Sequence, residues 1–333
     1  MARTESLRCT RRRVIASGGA LALGVLGIGR AHAQAWPAAR PIRLVIGFAP
    51  GGAADYVART LGEPLARTLG QAVVVENRAG AGSSLAADFV AKAPADGYTI
   101  LIASPSSISV NPALNPKLTY AKDLLPVTKL TSSPLVIAVH PDLPVRSLQE
   151  LIALAKKKPG SLNYATSGNG SAPHLGAAHF SAVTGVEMVQ IPYKGGAPAT
   201  TAAIAGDAHL TFGTPPSVLP MVQAGRLRAI AVTSPNGTPL VPGVPGTIEA
   251  GLPNYSLSFW YGLFVPGGTA PEIVRKLFDA AQVALQRSDV KAVLAREGAE
   301  VAPSQSPDEF AAFLDGDNRF WAKLVKDAGV KPE

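Results

Sequence analysis

The chain has 333 residues, 47% of them hydrophobic and 16% charged, with a formal net charge of +8. That apolar share excludes a disordered or low-complexity protein, and the length suits about two domains, each able to bury a core without disulfides. Residues 1–33 carry six arginines and one glutamate, so the rest holds 25 basic and 22 acidic residues, a net of +3 with no basic stripe for nucleic acid.

Those first 33 residues read as an export signal. A basic region runs to Arg13, an apolar stretch of small residues follows from Val14 to Ile28, and Ala31-His32-Ala33 supplies the small residues that a signal peptidase reads. The apolar stretch is shorter than the ~20 residues of a comfortable membrane span. Thr10-Arg11-Arg12-Arg13-Val14-Ile15 resembles a twin-arginine signal, with a general secretory signal as the alternative. The mature chain is expected to start at Gln34, as a soluble periplasmic protein. The single cysteine, Cys9, lies inside the signal, so the mature chain has no disulfide, thiolate nucleophile or cysteine metal site.

From Gln34 onward, β-rich runs alternate with helical ones. Strands are expected at Ile42–Gly47, Gln71–Glu76, Tyr98–Ala103 and Leu135–Val139. A helix is expected over Ala53–Leu69, striped by Val57, Leu61, Leu65 and Leu69 and kinked or restarted at Pro64, and another over Ser84–Lys92. In a second series, Ser147 and Glu150 form a capping box for a helix reaching Lys158, whose three lysines read as a solvated helix end. Strands at 161–165, 188–192, 209–212 and 226–232 then alternate with helices at 173–183, 197–205 and 216–224. Residues 234–251 read as a long ordered loop. Trp260–Val265 is a late strand, and helices at 271–286, 289–297 and 306–328 close the chain. This order predicts an α/β fold of two lobes, each a mostly parallel sheet flanked by helices. The expected boundaries place 34–136 and 260–333 in one lobe and 137–259 in the other.

Ligands of open α/β sheets bind where strands end and helices start. Three such corners are rich in glycine. Phe48-Ala49-Pro50-Gly51-Gly52-Ala53-Ala54-Asp55 follows the first strand. Its glycines let backbone N–H groups approach a ligand, and its helix start suits a carboxylate; a tight turn without a ligand is the plainer alternative. Thr166-Ser167-Gly168-Asn169-Gly170-Ser171 with His174 is the second, its hydroxyls free to bind an anion or to cap the helix. Tyr193-Lys194-Gly195-Gly196 is the third, where Lys194 either faces a ligand charge or lies exposed.

Sharper motifs fail. Gly80-Ala81-Gly82 lacks the third glycine of a dinucleotide fingerprint, no phosphate loop or Gly-x-Ser-x-Gly elbow exists, and His174 and His179 are five apart, not the four of a helical metal pair. No metal or cofactor is expected.

The mature chain resembles the solute-binding receptors of tripartite tricarboxylate transporters, the Bug proteins, from Pro41 to about Val330. The resemblance is carried by Pro41-Ile42-Arg43-Leu44-Val45 through Pro50-Gly51-Gly52 and Asp55, by Val75-Glu76-Asn77-Arg78 with Gly80-Ala81-Gly82, and by Ala91 to Thr99. Further on it is carried by Asn163 to Ser171, Pro192-Tyr193-Lys194-Gly195 and Leu227 to Thr233. It implies a two-lobed periplasmic-binding-protein fold that holds a small carboxylate in its cleft and delivers to membrane transporter subunits; a monomer is expected. It places Phe48 and Gly51, Gly52, Ala53, Ala54 and Asp55 on one wall, Thr166, Ser167, Gly168, Gly170, Ser171 and His174 on the other, and Tyr193 to Gly196 beside them. The family's acidic residues are replaced by His209 and Gly213, which implies a less negative cleft floor and disfavours ligands with an amino group. Two other readings stand beside this one: a serine hydrolase using Ser171 or Ser167 with His174, and a protein that presents its ligand to a membrane sensor.

Overall fold

The computed structural model describes residues 36–330 apart from Glu297, and the export segment expected over 1–33 lies outside the described residues. The chain opens with β1 (Ile42–Ile46), α1 (Ala53–Leu69), β2 (Val73–Asn77), α2 (Ser84–Ala91) and β3 (Thr99–Ala103). Alternate residues of β1 enter different cores. Leu44 and Ile46 cluster with the Val57, Leu61 and Leu65 stripe of α1, while Val45 joins Ala86, Ala87 and Val90 of α2. Covering both faces is what lets β3 be buried along its whole length. Pro64 does not break α1, which runs unbroken from Ala53 to Leu69. The missing N–H costs one bond to the Thr60 carbonyl, and burial of Leu61 and Leu65 on either side outweighs it.

A π-helical turn over Ser106–Val110 runs into α3 (Asn111–Leu114), and an eleven-residue strand, β4 (Leu124–Pro134), follows. The sequence pattern does not announce this strand. Pro126 and Pro134 argue against it, and hydroxyl residues interrupt its apolar pattern. Pro126 is accommodated beside a register shift in the pairing with a later strand, where the ladder is already irregular.

The second series comprises β5 (Val136–Val139), α4 (Leu148–Lys157), β6 (Asn163–Thr166), α5 (Ala172–Thr184), β7 (Val189–Pro192), α6 (Gly196–Ala205), β8 (Leu210–Gly213), α7 (Pro215–Gln223) and β9 (Arg228–Val232). The chain then returns through β10 (Ser258–Pro266), α8 (Pro271–Gln286), α9 (Ser288–Arg296), β11 (Glu300–Val301) and α10 (Pro307–Asp327). The connection over 234–251 is tied down by Glu249, whose carboxylate accepts from Gly246 N at 2.9 Å and Gly237 N at 3.3 Å.

Two sheets result, ordered β11-β4-β10-β3-β1-β2 and β7-β6-β8-β5-β9. The α/β two-lobed fold is as expected, but the sheets are mixed rather than mostly parallel. β1 runs parallel to β2 and β3, and β6 to β7 and β8, through helical crossovers. β10 is antiparallel to β3 and β4, and β5 to β8 and β9. The antiparallel members arise where the chain passes from one sheet to the other. Only Leu135 separates β4 from β5, so no helix intervenes to restore direction. Among the described residues no helix is long and apolar enough to cross a membrane.

The start of α4 carries the capping arrangement read from the sequence. Ser147 Oγ accepts from Glu150 N at 3.2 Å, and the Glu150 carboxylate accepts from Arg146 N at 2.6 Å. Ser147→Ala should therefore lower unfolding free energy by about 1 kcal/mol, measured by urea denaturation. An unchanged midpoint would show that the cap is redundant there.

Candidate functional site

The carboxyl ends of β1 and β2 in one sheet and of β6, β7 and β8 in the other deliver their corners to a shared crevice. Its walls meet through glycine. A methyl group added at Gly52 would lie 3.6 Å from Gly196 N, and one at Gly51 would lie 3.5 Å from Ala197 Cβ. One at Gly82 would overlap Asn169 O at 2.5 Å, so only glycine permits that approach. The crevice encloses a cavity of about 270 Å³, lined by Gly47, Phe48, Ala79–Ser83, Ser167, Gly168, Pro192, Tyr193 and Lys194. A residual void of about 20 Å³ lies behind it, against Gly52, Ala53, Ala54, Ala172, Pro173, Gly196, Thr214, Ser217, Phe259 and Tyr261.

Each corner is held in shape by polar groups that turn away from the cavity. The Asp55 carboxylate accepts from Gly51 N at 3.0 Å, Arg59 Nε at 2.9 Å and Asn77 Nδ2 at 3.0 Å, and Asn77 Nδ2 also reaches Phe48 O at 3.0 Å. Burial pushes the Asp55 carboxyl upward, but the bonds from Arg59, Gly51 and Asn77 together hold it below its ordinary value, so it stays ionised. On the second wall His174 Nδ1 accepts from Gly170 N at 3.0 Å, and burial pushes its imidazole down to about 4, so it is neutral at pH 7. Ser171 Oγ donates to Gly168 O at 2.5 Å, and Thr166 Oγ1 accepts from Gln190 Nε2 at 2.9 Å.

The electrostatics favour an anion. Helices α1, α5 and α6 start at Gly52, Ser171 and Gly195, and none of the three starts has a side-chain cap. Apart from Pro173 and Pro198, which carry no N–H, their first-turn residues therefore keep hydrogen-bonding capacity, and all three starts keep partial positive charge. Among the described residues no aspartate or glutamate lines the cavity or the void behind it. Lys194 does line the cavity, and among the described residues it makes no ion pair. A larger groove of about 510 Å³ elsewhere carries Arg40, Arg43 and Lys92, but each of these cations is already paired, with Asp96, Glu76 and Asp88.

A family model described as the tripartite tricarboxylate transporter family receptor matches residues 57–330. The chain belongs to this receptor family. BugT of Bordetella pertussis is 37% identical over 302 residues, 90% of this chain and 92% of that one. Among solved structures, the chain is similar to R. palustris Rpa4515 with adipate, at 35% identity and a TM-score of 0.85, covering 90% of this chain and 100% of that one. It is also similar to the periplasmic binding protein BugD, at 32% identity and a TM-score of 0.83, covering 89% and 99%. The resemblance read from the sequence is a family relationship.

In this receptor, Phe48, Gly52, Ala53, Ala54, Ser167, Gly168, Tyr193, Lys194 and Gly196 lie on the crevice wall. Gly51, Asp55, Thr166, Gly170, Ser171, His174 and Gly195 are not among the lining residues; Asp55, Thr166, Ser171 and His174 hold the corners from behind. Ser171 and His174 each bond to a different backbone group, and among the described residues no hydrogen bond joins them, so a hydrolase pair is not assembled. His209 takes Asn163 N at 2.9 Å at the opposite end of the sheet, and a methyl at Gly213 would strike Val218 at 2.3 Å rather than the cavity. The loss of acidic residues at 209 and 213 therefore leaves the crevice lining unchanged, and the inference against amino ligands lapses. Sequence reasoning missed Ala79–Ser83 and Thr214. Both lie at strand-to-helix corners, the same signal that marked the other three. Phe259 and Tyr261 arrive from β10 and have no local signal.

Proposed function

We propose that the receptor captures a small carboxylate in this crevice and hands it, chemically unchanged, to a membrane transporter. One observation carries the reading: three uncapped helix starts and the Lys194 ammonium meet at a crevice that, among the described residues, no carboxylate lines. The adipate named with the similar Rpa4515 structure is a ligand of that class. The cavity of about 270 Å³ lies just below the range typical of drug-sized ligands, as a compact solute requires. Lys194 and the N–H groups at Gly52 and Gly196 bind the anion, while Asp55, Thr166, Ser171 and His174 keep the corners in place.

The lobes, 34–136 with 260–333 and 137–259, close on the solute because it bridges both walls. The receptor works as a periplasmic monomer released from its signal after Ala33. Native mass spectrometry of the exported protein tests both parts. A chain mass beginning at Gln34 with a retained organic acid is expected. A retained cation or neutral solute at this site would overturn the carboxylate reading.

A further inference from the structure

Ser83 occupies the N-cap position of α2, where a serine normally accepts a hydrogen bond from the first turn of its own helix. Here it does not: its backbone is left-handed at φ 77° and its side chain makes no capping bond. The hydroxyl is buried, with the residue 1% exposed, and among the described residues it has no hydrogen-bond partner. Ser83 lines the cavity between the two sheets. A buried hydroxyl without a partner is costly, and so is a left-handed serine.

The neighbourhood maintains this arrangement rather than relieving it. Ala81 is also left-handed, at φ 45°. Asn111 Nδ2 locks the turn by donating to Gly82 O at 2.9 Å and Ala81 O at 3.1 Å. Gly47 leaves the room the hydroxyl needs, since a methyl there would sit 1.9 Å from Ser83 Oγ. Strain and an unmet hydrogen bond at one cavity-lining residue mark a group shaped for a guest.

Resting on the carboxylate reading above, we propose that Ser83 is a specificity-determining residue: its hydroxyl donates to a second oxygen-bearing group of the solute, on the wall opposite Lys194. A solute with only a hydrocarbon end there leaves the hydroxyl unsatisfied and is rejected.

The test is calorimetric titration of the mature protein with two matched pairs, succinate against butyrate and adipate against hexanoate. The wild-type protein is expected to prefer the diacid of at least one pair. Ser83→Ala and Ser83→Gly should weaken that diacid tenfold or more and leave its monoacid within about twofold. Ser83→Gly guards against misfolding, because glycine adopts φ 77° without strain and should melt no lower than the wild type. Equal loss for diacid and monoacid would make Ser83 merely structural, and unchanged selectivity would mean that water satisfies the hydroxyl; either overturns the proposal. A wild-type protein with no diacid preference also overturns it, while the carboxylate reading survives. If none of the four acids binds the wild type, the carboxylate reading falls and Ser83 with it.

Discussion

Replacing Gly52 with valine should abolish solute capture while leaving the receptor folded. Gly52 is the N-cap of α1 with φ −95° and ψ 174°, an extended conformation open to any residue, so valine brings no backbone strain. Its Cβ would stand 3.6 Å from Gly196 N and 3.7 Å from Ala49 O, which is ordinary contact. The two γ-methyls have no such room to spare, because the void beside Gly52 is only about 20 Å³, enough for roughly one water-sized group such as a solute oxygen. They must cover the N–H groups that start α1 and α6, or wedge the walls apart. Either outcome removes the bridge across the crevice. A loss of at least about a hundredfold in affinity is expected, some 2.7 kcal/mol. Titration with adipate and succinate measures it, and a thermal melt matching the wild type shows the fold intact. Gly52→Ala, with a single methyl at contact distance, should lose far less. A folded valine variant with unchanged affinity would remove the start of α1 from the site.

How far such a site can be read in advance depends on which physical signal each part carries. The bounds of α1 and α8 match the sequence pattern residue for residue, because an apolar stripe runs between a glycine or proline start and a clear stop. β4 does not, because its stability comes from β10 and β11 on either side and not from any local pattern. The corners after β1, β6 and β7 are legible as glycines between a strand and a helix. The corner after β2 carries the same signal in Gly80-Ala81-Gly82, and it is obscured only when that stretch is compared with a dinucleotide fingerprint alone. What the sequence does not encode locally is direction. Asp55 and His174 lie in first turns that border the crevice, yet both side chains fold back onto their own corners, satisfying Gly51 N and Gly170 N. Polar residues at a binding turn can therefore be its scaffold, and the binding groups can be backbone amides with no side-chain signature. Phe259 and Tyr261 show the complementary limit, since a strand more than two hundred residues from β1 completes the crevice.

The scaffold role of His174 predicts how the receptor responds to acid. Its folded form is neutral, with burial pushing the imidazole down to about 4, against an ordinary value of 6.5. The unfolded chain therefore takes up the proton first. The stabilisation from neutral His174 is complete above pH 6.5 and is lost as the pH falls from 6.5 toward 4. At 1.36 kcal/mol per pH unit, the gap bounds the loss at about 3 kcal/mol. Asp317 works in the opposite sense. Burial raises its carboxyl to about 6 despite bonds from Trp260 and Ser109, so its contribution weakens as the pH rises through 6. Raw stability against pH mixes the two, and a variant separates them. His174→Asn offers an amide oxygen near the Nδ1 position to Gly170 N and cannot titrate. Between pH 6.5 and 4 the wild type should lose about 2–3 kcal/mol more than this variant in urea unfolding. Parallel curves for the two proteins would mean that His174 gains its proton without disturbing the Gly170 turn, and that this turn is held by something other than the imidazole.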